Sequence, residues 1–235
     1  MLLEICANSY QSAINAQNAG ANRIELCSEL SLGGITPSYG LIKQVIENIS
    51  IPVFILIRPR SGNFIYTDTE FEIIKKDIEF CKKVGCSGIV TGVLSENGNI
   101  DIKRTKALFE LAKPLDFTFH RAFDCVANPE DSIKALKEIG VKRILSSGLK
   151  PTAIEGIELL IKLKEIGGKN LNIMPGSGVN HSNISIFKKK GFTEIHTSAS
   201  KVIQQKSFFP EFETIPQTVS DPETIKSLIK QLNNA

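Results

Sequence analysis

Two short segments twenty-one residues apart carry the same chemistry: Leu3-Glu4-Ile5-Cys6 and Ile24-Glu25-Leu26-Cys27. Side chains alternate along a strand, so in each segment Glu and Cys share one face and the aliphatics take the other. Two carboxylates and two thiols would then project into one interior. Adjacent parallel strands lie about 4.8 Å apart, so thiols at equal level could jointly hold a soft cation such as Cu(I). Two thiols fit a linear site, and nothing else in the chain supplies a firm third ligand. The alternative is packing, because free cysteine often fills cores as a small hydrophobe. There is no Cys-x-x-Cys and no His-x-x-x-His, so no zinc site is indicated. Cys81 and Cys86 straddle a helix end and read as packing.

Other segments offer acid–base and anion-binding groups. In Phe117-Thr118-Phe119-His120-Arg121, alternation turns Thr118 and His120 inward, and Asp124 follows. His titrates near neutral pH, so His120 held by Asp124 reads as an acid, with Glu4 or Glu25 as base. Glu194, His196 and Ser198 share a face of a further segment. Arg58 and Arg60 flank Pro59, and their side chains diverge. One reading is a clamp for carboxylate or phosphate; the other is buried bridges to Glu4 or Glu25. In Pro175-Gly176-Ser177-Gly178, and at Ser198, small residues let backbone N–H groups approach an anion. A tight turn without a ligand is the plain alternative. Together these residues would suit an enzyme of isomerase or lyase type acting on a small phosphorylated or carboxylated metabolite. No lysine stands at a strand end, which argues against imine chemistry.

These residues must be positioned by regular elements. Strands are expected at Leu2–Cys6, Arg23–Cys27, Val53–Arg58, Gly88–Gly92, Phe117–Arg121, Arg143–Ser147, Leu171–Met174 and Glu194–Ser198. Helices alternate with them. Thr36-Pro37 and Asn128-Pro129 each read as an N-cap followed by proline at the first helical position. Gly85, Gly140 and Gly191 read as stops. Further helices are expected over Ser9–Ala19, Thr69–Val84, Asp101–Ala112, Thr152–Ile166 and His181–Lys190. Asp221-Pro222 opens the last helix, to Leu232. Eight strand–helix units predict an α/β fold, a (β/α)8 TIM-type barrel, whose active site lies at the C-terminal strand ends. A doubly wound sheet is disfavoured, because no Gly-x-Gly-x-x-Gly follows the first strand. We read a single domain over 1–235, with an irregular segment at 202–220 around Phe208-Phe209-Pro210 and Ile215-Pro216.

Composition narrows the class. The 235 residues are 42% hydrophobic and 23% charged, with net charge +3. The basic residues are dispersed, Trp is absent and only three Tyr occur, which disfavours nucleic-acid binding. No apolar run approaches the roughly 18 residues of a membrane span. No secretory leader is recognisable and five cysteines make an odd count, so a cytoplasmic protein without a disulfide framework is expected.

Several stretches resemble the CutC family of copper homeostasis proteins. They are Glu4-Ile5-Cys6, Gly20 to Cys27, Gly33-Gly34-Ile35-Thr36-Pro37-Ser38, Ile57-Arg58-Pro59-Arg60, Thr118 to Asp124 and Met174 to Gly178. The resemblance spans residue 2 to about Ser200. It implies a TIM-type barrel, a cytoplasmic location, a homodimer and an association with copper. The cysteines proposed as copper ligands in that family fall on Cys6 and Cys27. After Arg60 the family's Gly-Gly-Asp is replaced by Ser61-Gly62-Asn63, which removes a carboxylate from that loop. Lys206-Ser207-Phe208-Phe209 replaces another family stretch.

Overall fold

The computed structural model describes residues 1–203, 211 and 215–234. Eight parallel strands are wrapped by helices: β1 (Leu2–Ala7), β2 (Arg23–Leu26), β3 (Val53–Leu56), β4 (Gly88–Thr91), β5 (Asp116–Phe119), β6 (Arg143–Ser146), β7 (Asn172–Pro175) and β8 (Glu194–Thr197). The hydrogen-bonded order is β7-β6-β5-β4-β3-β2-β1-β8. Its two ends, β7 and β8, pack against each other, which nearly closes the expected barrel. Helices α1 (Tyr10–Asn18), α2 (Tyr39–Asn48), α3 (Asp68–Val84), α4 (Ile102–Ala112), α5 (Pro129–Ile139), α6 (Ile157–Gly167) and α7 (Ile184–Lys189) follow the first seven strands. Their apolar faces bury Ala13, Ile42, Ile78, Leu108, Leu136, Leu163 and Phe187 against the outward aliphatics of the sheet.

The helix starts show how local chemistry is allotted. Asn128 caps α5 as expected, accepting from the backbone N–H of Asp131. For α2 the cap is Ser38, not Thr36. The Thr36 hydroxyl instead accepts the backbone N–H of Arg58 at 2.9 Å, tying the start of the α2 unit to the end of β3. Helix α6 begins five residues later than Thr152, because the Ala153 N–H is bonded to the Ser177 carbonyl of the neighbouring loop. Helix α7 begins at Ile184, not His181.

Strand β5 stops at Phe119, and His120 begins a 3-10 turn, Arg121–Cys125. The segment expected to be irregular contributes an antiparallel ribbon, β9 (Ser200–Val202) with β10 (Thr218–Ser220), before α8 (Pro222–Asn234). The ribbon is anchored to the first strand–helix unit: Asn8 Nδ2 donates to Thr218 Oγ1 at 3.0 Å and Asn15 Nδ2 to the Ser220 carbonyl at 2.9 Å. Phe208, Phe209, Pro210, Lys206 and Ser207 lie outside the described residues.

The barrel interior is partly ionic and partly apolar. Phe54 is 2% exposed and stacks under the guanidinium groups of Arg23 and Arg143, at 4.7 and 5.3 Å. Strand β4 makes room for it with Gly88, where a Cβ would lie 2.7 Å from the Phe54 ring. Just beyond the same strand, Gly92 leaves space for the His120 ring, whose Nδ1 would lie 2.7 Å from an added Cβ. Overpacking such a contact typically costs about 1–3 kcal/mol. Gly88→Ala should therefore lower stability by about 2 kcal/mol in urea denaturation. Adding Phe54→Leu should recover part of that loss.

Candidate functional site

The two Glu-x-Cys segments are neighbouring staves of the barrel, but their thiols are not level. Glu4 is in register with Arg23, and Cys6 with Glu25. Cys27 follows the end of β2, with its N–H on the Ala7 carbonyl at 3.0 Å. The thiols meet diagonally, with Sγ atoms 3.6 Å apart, and both are buried. Phe54, Leu56 and Val90 pack around them. The hydrogen bond to Cys27 and burial together hold the Cys6 thiol well above the ordinary thiol range.

Beside the thiols runs a buried ionic network. Glu4, fully buried, accepts from Arg23 through one oxygen and lies 2.8 Å from His196 Nδ1 through the other. Arg23 also binds Glu194 at 2.5 Å, and Arg143 binds Glu194 at 2.6 Å. Burial pushes Glu4 up, but the bond to His196 and the Arg23 charge outweigh it and hold the carboxyl down at about 2. Burial works against the charged form of His196. Glu25, Cys6 and Glu4 outweigh it and hold the imidazole well above its ordinary value. Glu25 is different. Burial lifts it to about 7, with His196 pulling down and the Glu4 charge pushing up. Its Oε2 lies 3.6 Å from His196 Nδ1 and has no hydrogen-bond partner.

Glu4, Glu25 and His196 bring possible metal-ligand atoms within 4.8 Å of one another. Both oxygens of Glu4 are already engaged, by Arg23 and His196. The donor set therefore reads as a proton-sharing network before it reads as a cage for a hard metal ion.

A cavity of about 360 Å³ opens at the C-terminal mouth of the barrel. Cys6, Glu25 and His196 line one part of its wall; Arg58, Phe64 and His120 also line it, with Ser177, Gly178 and Ser198 at the loops. Arg58 is buried and makes neither of the bridges expected to Glu4 or Glu25. Its Nη atoms donate to the carbonyls of Leu32, Gly34 and Gly62, at 3.1, 2.9 and 2.7 Å. Arg60 turns away from the mouth. It binds Glu70, the acidic member of the α3 capping box, and the carbonyls of Ser61, Asn63 and Ile65.

Two expectations are corrected at His120. Asp124 does not hold it. Asp124 accepts from Ser146 Oγ at 2.6 Å and from the Ser147 N–H at 2.9 Å, pinning the loop after β6, and pairs with Arg121. His120 accepts the Ala122 N–H through Nδ1 at 3.2 Å, which leaves the ring proton on Nε2. Burial and the Arg58 charge push its pKa down to about 3, so it is a neutral donor and not an acid titrating near neutrality. The glycine loop is also less open than its composition implies. The Gly176 N–H is spent on the Ser146 carbonyl at 3.0 Å, and Ser177 Oγ donates to the Pro151 carbonyl at 2.8 Å.

Sequence reasoning missed Arg23 and Arg143, although alternation puts Arg23 on the face of Glu25 and Cys27. Phe64 was missed because it lies on a loop without periodicity.

The fold and site define a class: a (β/α)8 barrel with a cavity at the strand ends, walled by one thiol of a buried pair, a carboxylate–imidazole pair and a fixed guanidinium. The chain belongs to the CutC family, whose sequence profile matches residues 1–201. It is 44% identical over 199 residues to the copper homeostasis protein cutC homolog of Homo sapiens, covering 84% of this chain and 73% of the human protein. It is 46% identical over 200 residues to the family protein CutC of Enterobacter sp. (strain 638), covering 85% of this chain and 81% of that one. The crystal structure of CutC from Streptococcus agalactiae superposes with a TM-score of 0.79 at 34% identity, covering 84% of this chain and 98% of that one. Thiamine phosphate pyrophosphorylase from Pyrococcus furiosus, at 14% identity and a TM-score of 0.63, covers 99% of this chain and 96% of that one and shares the fold alone.

Removing one partner of a buried ion pair costs about 3–5 kcal/mol, because the other is left unpaired. Glu4→Gln should lose about 3 kcal/mol or more at neutral pH in urea denaturation.

The two glutamates should also respond oppositely to pH. Glu4 is ionised to about pH 2 when folded, against an ordinary 4.5, so its contribution is present above 4.5 and lost as pH falls toward 2. Glu25 stays protonated to about pH 7, so its contribution is present below 4.5 and lost as pH rises to 7. Melting curves of Glu25→Gln against the parent should show the variant gaining ground between pH 4.5 and 7.

Proposed function

We propose that this CutC-family chain serves copper homeostasis by holding Cu(I) on Cys6 and Cys27. The observation that carries the reading is the pair of buried thiols at 3.6 Å, beside the mouth of the barrel. Thiolates are the side chains that select Cu(I), and the surrounding Phe54, Leu56 and Val90 exclude water and competing hard ligands. Metal–thiolate bonds are about 2.3 Å in zinc sites; at that length the two sulfurs subtend roughly 100° at an ion between them. That is too bent for a linear site. The ion would either push the sulfurs apart by about 1 Å or take a third donor. His196, which faces Cys6, is placed to be that donor once it gives up its proton. Binding displaces thiol protons and should strengthen as pH rises.

Titration of the reduced protein with Cu(I) against a competing chelator should give one ion per chain. Cys6→Ser/Cys27→Ser should weaken it by at least about 100-fold. Unchanged affinity in the double variant would sink the proposal.

The family resemblance is also the ground for a cytoplasmic location and a homodimer. No described helix is long and apolar enough to cross a membrane.

A second reading has its own observation. Glu25, with an unpartnered oxygen, and His120, a neutral N–H donor, line one cavity. That pairing supports proton transfer on a small metabolite, as an isomerase or lyase would require.

A further inference from the structure

Arg58 is 6% exposed and carries a full positive charge. Among the described residues no carboxylate pairs with it; its three protein partners are the carbonyls of Leu32, Gly34 and Gly62. Carbonyl dipoles position a guanidinium but do not neutralise it, and an unneutralised buried charge is costly. Its Nε–H makes no hydrogen bond, although the Tyr66 hydroxyl stands near the guanidinium. His120, 4% exposed, likewise has a buried Nε2 without a partner. Both residues line the mouth cavity. Phe64 joins them, with its ring 4.8 Å from the Arg58 guanidinium and 4.9 Å from the His120 ring. Two buried donors and a net positive charge without an anion thus meet in one wall. The other interior arginines are treated differently: the buried Arg23 and the half-buried Arg143 are each paired with carboxylates.

We infer that the part of the mouth cavity formed by Arg58, His120 and Phe64 is a binding site for the oxyanion group of a small metabolite, a carboxylate or a phosphate. Arg58 supplies the charge and its Nε–H, and His120 supplies a neutral Nε2–H. Fixed in this tautomer by Ala122, the imidazole donates without bringing a second cation against Arg58. The Phe64 ring, packed against both, forms the apolar side of the site. At about 360 Å³ the cavity falls at the small end of the range for ligand sites, which suits a metabolite and not a nucleotide. The unpartnered Glu25 oxygen, also in the cavity wall, is left to accept a hydroxyl from the far end of the same molecule. The site is distinct from the thiol pair, and the inference holds whether or not copper binds.

The chain has three histidines, so 15N-histidine labelling gives a readable spectrum of the imidazole nitrogens. Inorganic phosphate, glycolate and pyruvate should be titrated separately into the reduced, metal-free protein. A saturable shift of the His120 Nε2 signal with phosphate, with the carboxylates, or with both supports the site and names the anion it takes. Calorimetry with that anion should show about tenfold or greater weakening in His120→Phe, which leaves Arg58 in place. Arg58→Lys, which keeps the charge but loses the fork, should weaken binding as well; its fold is checked by the unchanged Cys6–Cys27 environment in thiol titration. No saturable shift with any of the three anions, or equal affinity in His120→Phe and Arg58→Lys, overturns the inference.

Discussion

The interior of this barrel depends on one buried carboxylate. Glu4 stands at the meeting point of β1, β2 and β8, taking Arg23 on one oxygen and His196 on the other. The charges around it are arranged by that pairing. Arg23, once fixed, reaches Glu194, and Glu194 orders Arg143 across the barrel. Both guanidinium groups then lie against the Phe54 ring. With His196 drawn to Glu4, Glu25 is left without a donor of its own, and its carboxyl shifts toward neutrality. One ion pair thus decides which glutamate is a structural anion and which is chemically available.

Above that layer the character of the wall changes twice. The thiols sit in an apolar patch with Leu56 and Val90, suited to a soft ligand. Beyond them the mouth presents Arg58 and His120, suited to hard oxygen atoms. Soft sulfur and hard oxygen-seeking donors thus stand in different parts of one wall. Gly88 in β4 and Gly92 just after it permit this by leaving no side chain where Phe54 and the His120 ring need volume.

The barrel was legible in the sequence because alternation of strand and helix signals is a local property of short windows. Cys6, Cys27, Glu4 and Glu25 were legible for the same reason, as residues sharing a strand face. What local pattern cannot carry is partner choice. Arg58 and Arg60 looked alike on either side of Pro59, yet one is held by carbonyls at the mouth and the other by the α3 capping box. Asp124 sits four residues from His120 but is drawn to Ser146 and Ser147, because several donors from the next unit converge on it. The stagger that levels Cys6 with Glu25 instead of Cys27 is set by the whole barrel, and no pair of strands read alone reveals it.

The same first strand has a consequence for how the chain folds. Glu4 meets Arg23 across 19 residues but His196 across 192. The early contact is available as soon as one strand–helix–strand unit exists. The late one requires nearly the entire barrel. Long-range closure of this kind slows folding, since the entropy of closing the loop is lost before the contact is gained. A partly folded chain would therefore hold Glu4 and Arg23 together while the imidazole is still absent. The proton network, and with it the distinction between the two glutamates, comes into being only when the last strand docks beside the first.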